Sequence, residues 1–310
     1  MIQKNTKPKL IVILGPTATG KTKLAVALAY KFNGEIISAD SRQVYKYLNI
    51  GAGKDLKEYK NIKYNLINII NPDKTFTLAE YKKLALKKIN DIIKKNKIPF
   101  LVGGTGLYIS SIIDNYDIPK IKPNKEVRSK LNKLSKSSKI KLLKKTDPEC
   151  LKFLDLKNTR RVDRALEVCL NGQKFSDLRK KGKLLFDILQ IGLALPREKI
   201  NKNIDSRVDY MIKSGLVDET KKIIKKFSKN SAALETIGYK EILDFLDNKV
   251  ETQNFVKTQN FASLQDTIKL IKIHTHQFAK RQMTWFKRDK NINWIKNKSQ
   301  AEKLIRKFLD

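Results

Sequence analysis

The chain has 310 residues, 41% of them apolar, which suffices for a buried core and, by length, for about two domains. Sixty-six Lys and Arg against 31 Asp and Glu leave a formal net charge of +35, so a polyanionic partner is expected, nucleic acid first and an anionic membrane surface second. No apolar run approaches the ~20 residues of a membrane span, the start shows no signal-peptide pattern, and Cys150 and Cys169 make neither a disulfide framework nor a metal spacing, so a reducing, cytoplasmic compartment is expected.

Only 11 of the basic residues are Arg. Lys, Ile and Asn dominate, as AT-rich codons produce, so part of the charge is compositional. An Arg then marks a place where a planar fork is needed. His274 and His276, two apart, do not share a helix face and read as solvated or satisfied side chains rather than metal ligands.

Leu10–Leu14 is a short apolar run ending at Gly15 and predicts a buried parallel strand. A helix is predicted from Thr22 to about Phe32, and a second strand at Glu35–Ser38. Over Leu78–Lys95, residues Leu78, Tyr81, Leu84, Ala85, Ile89, Ile92 and Ile93 recur at helical spacing with lysines opposite. Ile98–Val102 reads as the next strand, closed by Gly103 and Gly104. Alternating strands and helices imply βαβ units and a parallel sheet.

The texture changes near Asn115, where Pro119, Pro123 and a lysine-dense stretch over 120–145 follow. Val127, Leu131, Leu134, Ile140, Leu142 and Leu143 recur too regularly for a disordered linker. An inserted, mostly helical domain is therefore predicted over 115–182, with 1–114 and 183–310 as the core. Its clearest helix is Asn158–Leu170, with Val162, Ala165, Leu166 and Cys169 on one face. Asp187–Leu195 reads as a returning strand. A helix through Ile200, Ile204, Val208, Met211 and Ile212 is stopped at Gly215. A long helix is predicted within Leu264–Phe286.

Gly15, Pro16, Thr17, Ala18, Thr19, Gly20, Lys21 and Thr22 fit G-x-x-x-x-G-K-[ST] between an apolar strand and a helix. Glycines let backbone N–H groups close around phosphate oxygens, and the helix N-terminus adds its dipole. Lys21 supplies a mobile charge and Thr22 a hydroxyl for Mg²⁺. The pattern specifies a phosphate chain, not ATP. No apolar run ending in a single Asp follows at Walker B distance; instead Asp40 lies just after the second strand. Ligands of open α/β sheets bind beyond the carboxyl ends of the strands, so the Gly15–Thr22 loop, Asp40 and the Gly103-Gly104-Thr105 turn should converge there. The fold class expected is α/β, a P-loop NTPase-like parallel sheet with helices on both faces and the helical insertion.

At these residues the sequence resembles the tRNA dimethylallyltransferases, the tRNA isopentenyl transferase family. The resemblance rests on GPTATGKT (15–22), IISADSRQVYK (36–46), GGTGLY (103–108), RRVDRALEV (160–168), GLVDE (215–219), IGYKE (237–241) and AKRQMTWFKR (279–288), in family order. It departs from the family where Tyr64–Asn68 lacks a common His-His pair and where Gly51-Ala52-Gly53-Lys54 replaces Gly-Thr-Ala-Lys. The resemblance implies transfer of a dimethylallyl group from dimethylallyl diphosphate to N6 of adenosine-37 beside the tRNA anticodon, with release of pyrophosphate. The P-loop would hold the donor's diphosphate.

By the resemblance Asp40 is the general base, Thr105 sits at the reaction centre, and Arg207 stabilises the departing pyrophosphate with Lys21 and Mg²⁺. An ordinary aspartate is too weak a base to deprotonate a neutral adenine amine beforehand, but it can accept the proton late, once the C–N bond is forming. Thr105 could reach either the bridging oxygen or the base. The resemblance assigns tRNA contact to Asp40, Ser41, Arg42, Gln43, Thr105, Arg128 and the segment Arg160, Arg161, Val162, Asp163 and Arg164; the interleaved basic and aromatic residues Lys280, Arg281 and Trp285 suit stacking or phosphate contact. On the residues alone, the Arg cluster also reads as a solvated face paired to Asp163 and Glu167, and Trp285 equally as core. The basic insertion would grip the anticodon stem through phosphate charge. A monomer with no obligate protein partner is expected. Three other readings stay open: an isopentenyltransferase acting on free adenine nucleotide, a small-molecule P-loop kinase or ATPase, and a non-catalytic basic RNA-binding protein.

Overall fold

A computed structural model describes residues 7–118, 124–177, 182–254 and 263–310. The elements begin with β1 (Lys9–Leu14), α1 (Lys21–Lys31), β2 (Gly34–Ser38), β3 (Tyr64–Asn65), α2 (Leu78–Ile93), β4 (Ile98–Gly103) and α3 (Gly106–Ile113). Next come α4 (Lys125–Asn132), α5 (Lys136–Thr146) and α6 (Thr159–Leu170). The chain closes with β5 (Asp187–Leu193), α7 (Arg197–Lys213), α8 (Leu216–Lys226), α9 (Tyr239–Asn254), α10 (Leu264–Phe286), β6 (Ile292–Ile295) and α11 (Lys298–Leu309). It divides into two compact units, Met1–Ile109 with Leu185–Asp310, and Ser110–Leu184. The lysine-rich texture used to place the insertion at 115–182 starts only after α3. Pro119, Pro123 and the first lysines of that stretch lie outside the described residues.

In the first unit, six strands form one sheet in the order β3-β2-β4-β1-β5-β6, every neighbouring pair parallel. Successive strand side chains point to opposite faces. Ile11 and Ile13 of β1 pack with Ile36, Phe100 and Ile191 against Ala25, Leu28 and Ala29 of α1 and Ala301 and Ile305 of α11. Leu10, Val12 and Leu14, facing the other way, are equally buried. Both faces are therefore covered, which explains why the strands read as unbroken apolar runs. On α2 the buried stripe is Tyr81, Ala85, Ile89 and Ile92, and the helix starts at a capping box between Thr77 and Glu80. The Tyr81 hydroxyl donates to Ser38 O at the end of β2 (3.1 Å), and its ring stacks on Tyr108 at 3.7 Å.

The sequence reading missed β3, α3, α8, α9, β6 and α11. β3 has only two residues and no apolar run, and β6 buries only its end residues, Ile292 and Ile295. Gly215 ends α7 as expected, and in the left-handed region (φ 94) it also opens α8.

The second unit has its own core of Leu131, Leu143, Cys150, Val162, Ala165 and Leu166. Asp147 is fully buried and accepts from Cys150 N (3.3 Å) and Ser176 N (2.8 Å), fastening the turn after α5 to the segment that follows α6.

The parallel register brings the carboxyl ends of β1, β2 and β4 to one level, and there backbone meets backbone. Ala39 N donates to Val102 O (2.7 Å), and a Cβ on Gly103 would overlap the Ala39 carbonyl. Gly103→Ala is therefore expected to lower unfolding free energy by about 2 kcal/mol in urea denaturation, the usual cost of overpacking; an unchanged midpoint would refute the close approach.

Candidate active site

β1 ends in the phosphate-binding pattern. Gly15 (φ 145) begins the turn, Ala18 lies at φ 61, and Gly20 (φ 82) caps α1. The loop is held from within and from α7 and α10: Thr19 Oγ1 donates to Pro16 O (2.9 Å), Asn203 Nδ2 to Ala18 O (3.0 Å), and Thr17 N to Gln282 Oε1 (2.9 Å). The Lys21 ammonium donates to Pro16 O. Desolvation lowers the Lys21 pKa to about 7; Asp40 opposes the shift and the Arg207 charge adds to it. Lys21, Asp40 and Arg207 thus lie within electrostatic reach of one another.

Arg207 comes from α7. Its guanidinium donates to Thr17 Oγ1 (3.2 Å) and Gly53 O (3.4 Å). Gly53 has φ 57, and a Cβ there would run into the guanidinium, so a larger residue would be strained and would push the end of Arg207 aside. Burial lowers the Arg207 pKa while Asp40, Glu58 and Asp55 raise it; a guanidinium stays charged in any case. The loop under Arg207 is clasped from α8 and α9. Glu219 accepts from Asn49 N (3.2 Å), Ile50 N (2.9 Å) and Gly51 N (3.4 Å), and from Tyr239 OH (2.5 Å). Gly51 N also donates to Tyr239 OH (3.0 Å). Lys54 closes the loop, donating to Tyr45 O and to Asn68 Oδ1 (2.6 Å); burial lowers its pKa to about 8 against the pull of Glu219 and Asp40.

Asp40 follows β2, and Thr105 follows β4. Asp40 Oδ1 accepts from Arg42 N (2.9 Å), a turn that fixes the direction of its carboxylate. Thr105 N donates to Ala39 O (3.1 Å), Thr105 Oγ1 accepts from Ser41 N (3.0 Å), and it lies 3.4 Å from Ser41 Oγ. The two loops expected to converge are thus bonded to each other. The Arg42 guanidinium donates to Ala232 O (3.2 Å), and Gln43 Oε1 accepts from Ser38 Oγ (3.1 Å).

Thr22 stands one residue after Lys21, near the Tyr59 phenol, whose own pKa burial raises. Among the described residues no three His, Cys, Asp or Glu side chains cluster as a metal cage. Thr22 offers one hydroxyl oxygen, and a Mg²⁺ ion bound there would take its other ligands from phosphate oxygens and water.

The other sequence-derived candidates divide. Arg160 and Arg161 are exposed on α6. Arg164 pairs with Glu167 at 2.6 Å, and Arg128 reaches both Glu167 oxygens at 3.2 Å. Asn124 N also donates to Glu167 (2.5 Å). Burial pushes Glu167 up, but these three donors outweigh it and hold the carboxyl below its ordinary range. Asp163 pairs with the buried Lys139 at 2.7 Å. Val162 is a core residue of the insertion and offers no side-chain surface. On α10, Lys280 and Arg281 are exposed, whereas the Trp285 indole lies over Gly106, which has room only for glycine.

Sequence reasoning gave no role to Gln282, Glu219, Tyr239, Asn203 or Gly53. Gln282 left one signal, a polar residue on the apolar stripe of a helix. Glu219 and Tyr239 lay in motifs already quoted, but nothing local shows that a carboxylate there serves amides 170 positions away.

Residues 43–289 match the IPP transferase family. A tRNA dimethylallyltransferase of Acetivibrio thermocellus is 39% identical over 310 residues, covering 96% of this chain and 95% of that relative. The full-length tRNA isopentenylpyrophosphate transferase from Bacillus halodurans is similar in structure, with a TM-score of 0.69 and 33% identity over 98% of this chain and 95% of that one. A eukaryotic dimethylallyltransferase acting on tRNA gives a TM-score of 0.74 and 31% identity over 90% of this chain and 69% of that one.

The lowered Lys21 pKa gives a sign for anion binding. An anion at the cradle restores the Lys21 charge, so near pH 8 pyrophosphate binding is expected to take up about one proton more than in Lys21→Met. Near pH 6 Lys21 already carries its proton and the excess should vanish. Calorimetry in buffers of different ionisation enthalpy reads this; equal uptake by both proteins at pH 8 would contradict it.

Proposed function

This chain belongs to the IPP transferase family, and on that premise we propose how its crevice performs its reaction, the transfer of a dimethylallyl group to tRNA. The donor is dimethylallyl diphosphate and the acceptor N6 of adenosine-37, beside the anticodon. The observation that carries this reading is the mutual reach of Lys21, Arg207 and Asp40: a cationic cradle stands beside a carboxylate at the carboxyl ends of the strands. A kinase of small metabolites has no use for that pairing without an acidic strand end facing a γ-phosphate. The family and its tRNA-acting member also favour tRNA over free nucleotide as acceptor.

In this mechanism the P-loop amides and Lys21 take the diphosphate. Arg207, fixed by Thr17 and Gly53, faces the same group. The bond between the prenyl carbon and the bridging oxygen breaks, and its electron pair leaves with pyrophosphate. N6 forms the new bond to that carbon and becomes acidic as it does so, and Asp40 accepts its proton. Cations already in place need no reorganisation as charge builds on the leaving oxygens, which is where such sites gain most. Thr105, bonded to Ser41 N, belongs to the acceptor side and holds the Asp40 loop. Mg²⁺, held by Thr22 and the diphosphate, would neutralise part of the developing charge.

The target base must leave its stack to reach Asp40. Ser41, Arg42 and Gln43 stand next to Asp40 to meet the extruded nucleotide. Arg160, Arg161 and the exposed lysines of the insertion, with Lys280 and Arg281, would contact tRNA phosphates. Among the described residues no helix is long and apolar enough to cross a membrane, and a cytoplasmic monomer meeting tRNA fits this reading.

The test is incubation with prenyl-labelled dimethylallyl diphosphate, Mg²⁺ and unmodified tRNA, with nucleoside mass analysis. Label is expected as N6-prenyladenosine. Asp40→Asn should lower kcat by about 10²- to 10⁴-fold, the range of a lost general base, while tRNA affinity changes little. Label on free nucleotide alone, or γ-phosphate release from ATP, would overturn the reading.

A further inference from the structure

We propose that Gln282 is a positioning residue: its side-chain amide locks the diphosphate cradle to the Thr105 loop and so sets the distance between donor and acceptor. The proposal rests on the transfer reaction above and adds a determinant of its geometry.

Gln282 lies in the last turns of α10 and is 6% exposed, on the same stripe as Ile271, Ala279 and Phe286. An uncharged polar group at such a depth is retained only with partners. Gln282 has two, on different loops. Its Oε1 accepts from Thr17 N in the P-loop (2.9 Å), and its Nε2 donates to Gly104 O (2.8 Å). The orientation of the amide is not free: Thr17 N needs an acceptor and Gly104 O a donor. The fit at Gly104 is tight, since a Cβ there would overlap Nε2. Trp285 covers Gly106 from the same helix end, so α10 grips the Gly104–Gly106 segment at two points.

The bonds form one line. Thr17, which also accepts from Arg207, is held by Gln282; Gln282 holds Gly104; Thr105 holds Ala39 and Ser41, on either side of Asp40. One end of this line carries the leaving group and the other the proton acceptor. A displacement near 1 Å between them costs about 10²-fold in rate, while binding of either substrate alone is hardly touched. Gln282 is placed to prevent that displacement.

Two variants test this beside the wild-type protein. Gln282→Leu removes both bonds and leaves the buried Gly104 carbonyl and the part-buried Thr17 amide unpaired, so its melting temperature is measured first. Gln282→Glu keeps the bond from Thr17 N but, when ionised, opposes Gly104 O with a lone pair; when protonated it donates there. At pH 8, Gln282→Glu is expected to lose about 10- to 100-fold in kcat with KM for both substrates within threefold. The deficit should shrink about fivefold or more by pH 6, as the buried carboxyl takes up its proton. A purely structural role would instead lower the melting temperature with no such split. An unchanged kcat in a variant that melts like wild type, or a rise in KM alone, overturns the proposal.

Hydrogen exchange gives a readout independent of transfer. Pyrophosphate should slow exchange at both the P-loop and residues 103–106 in the wild type, and at the P-loop alone in Gln282→Glu. Protection of 103–106 that persists in the variant also overturns the proposal. If the wild type labels no tRNA, the function reading falls, and the exchange result still decides the role of Gln282.

Discussion

Two cations share one desolvated crevice. Burial depresses both Lys21 and Arg207, each feels Asp40, and the carboxylates near Arg207 offset only part of the penalty. Removing charge from water is costly unless it is matched, so a site built this way is complementary to a polyanion that arrives with its substrate. Much of the surrounding structure serves that arrangement. Gly53 leaves space for a guanidinium, Glu219 and Tyr239 clasp the loop that carries Gly53, and Thr17 ties Arg207 to the P-loop. The sheet supplies the platform, because parallel strands in register end at one level.

The elements around this crevice were legible where the signal was local. The strand, glycine loop and helix of residues 10–32 announce themselves by an apolar run, a phosphate pattern and helical spacing. Asp40 and Thr105 followed from the rule that ligands sit beyond strand ends, and their loops are hydrogen-bonded to each other. The supports of the site were not legible, because each joins residues far apart in the chain: Gln282 to Thr17 and Gly104, Glu219 to amides 49–51, Arg207 to Gly53. A lone polar residue in an apolar stripe says that a partner exists, not which one. β6 escaped because a four-residue strand buried only at its ends carries almost no periodicity, whereas α11, with Ala301, Leu304, Ile305 and Phe308 at helical spacing, was legible and went unread.

The charge of +35 divides in the same way. Arginines were expected where a planar fork is needed, and in the insertion two of them pair with a buried carboxylate instead of facing a free surface. Arg128 and Arg164 converge on Glu167, a fully buried carboxylate that their forks and Asn124 N keep ionised. Lys139 is likewise consumed by Asp163. Arg160 and Arg161 remain outward with the surface lysines, so the basic character of the insertion that solvent meets comes from a subset of its cations. Sequence composition alone does not separate the two groups, since pairing depends on which helix faces which.

The crevice between Lys21 and Arg207 is the seat proposed for the prenyl donor's diphosphate. The most direct measurement is competition at equilibrium between dimethylallyl diphosphate and inorganic pyrophosphate, with Mg²⁺ and without tRNA, on the wild type and on Arg207→Lys. Each ligand is expected to displace the other at a single shared site, with both weakened in the variant, because a point charge cannot reproduce the fork held by Thr17 and Gly53. Undiminished donor binding under saturating pyrophosphate would place the donor elsewhere and contradict the account.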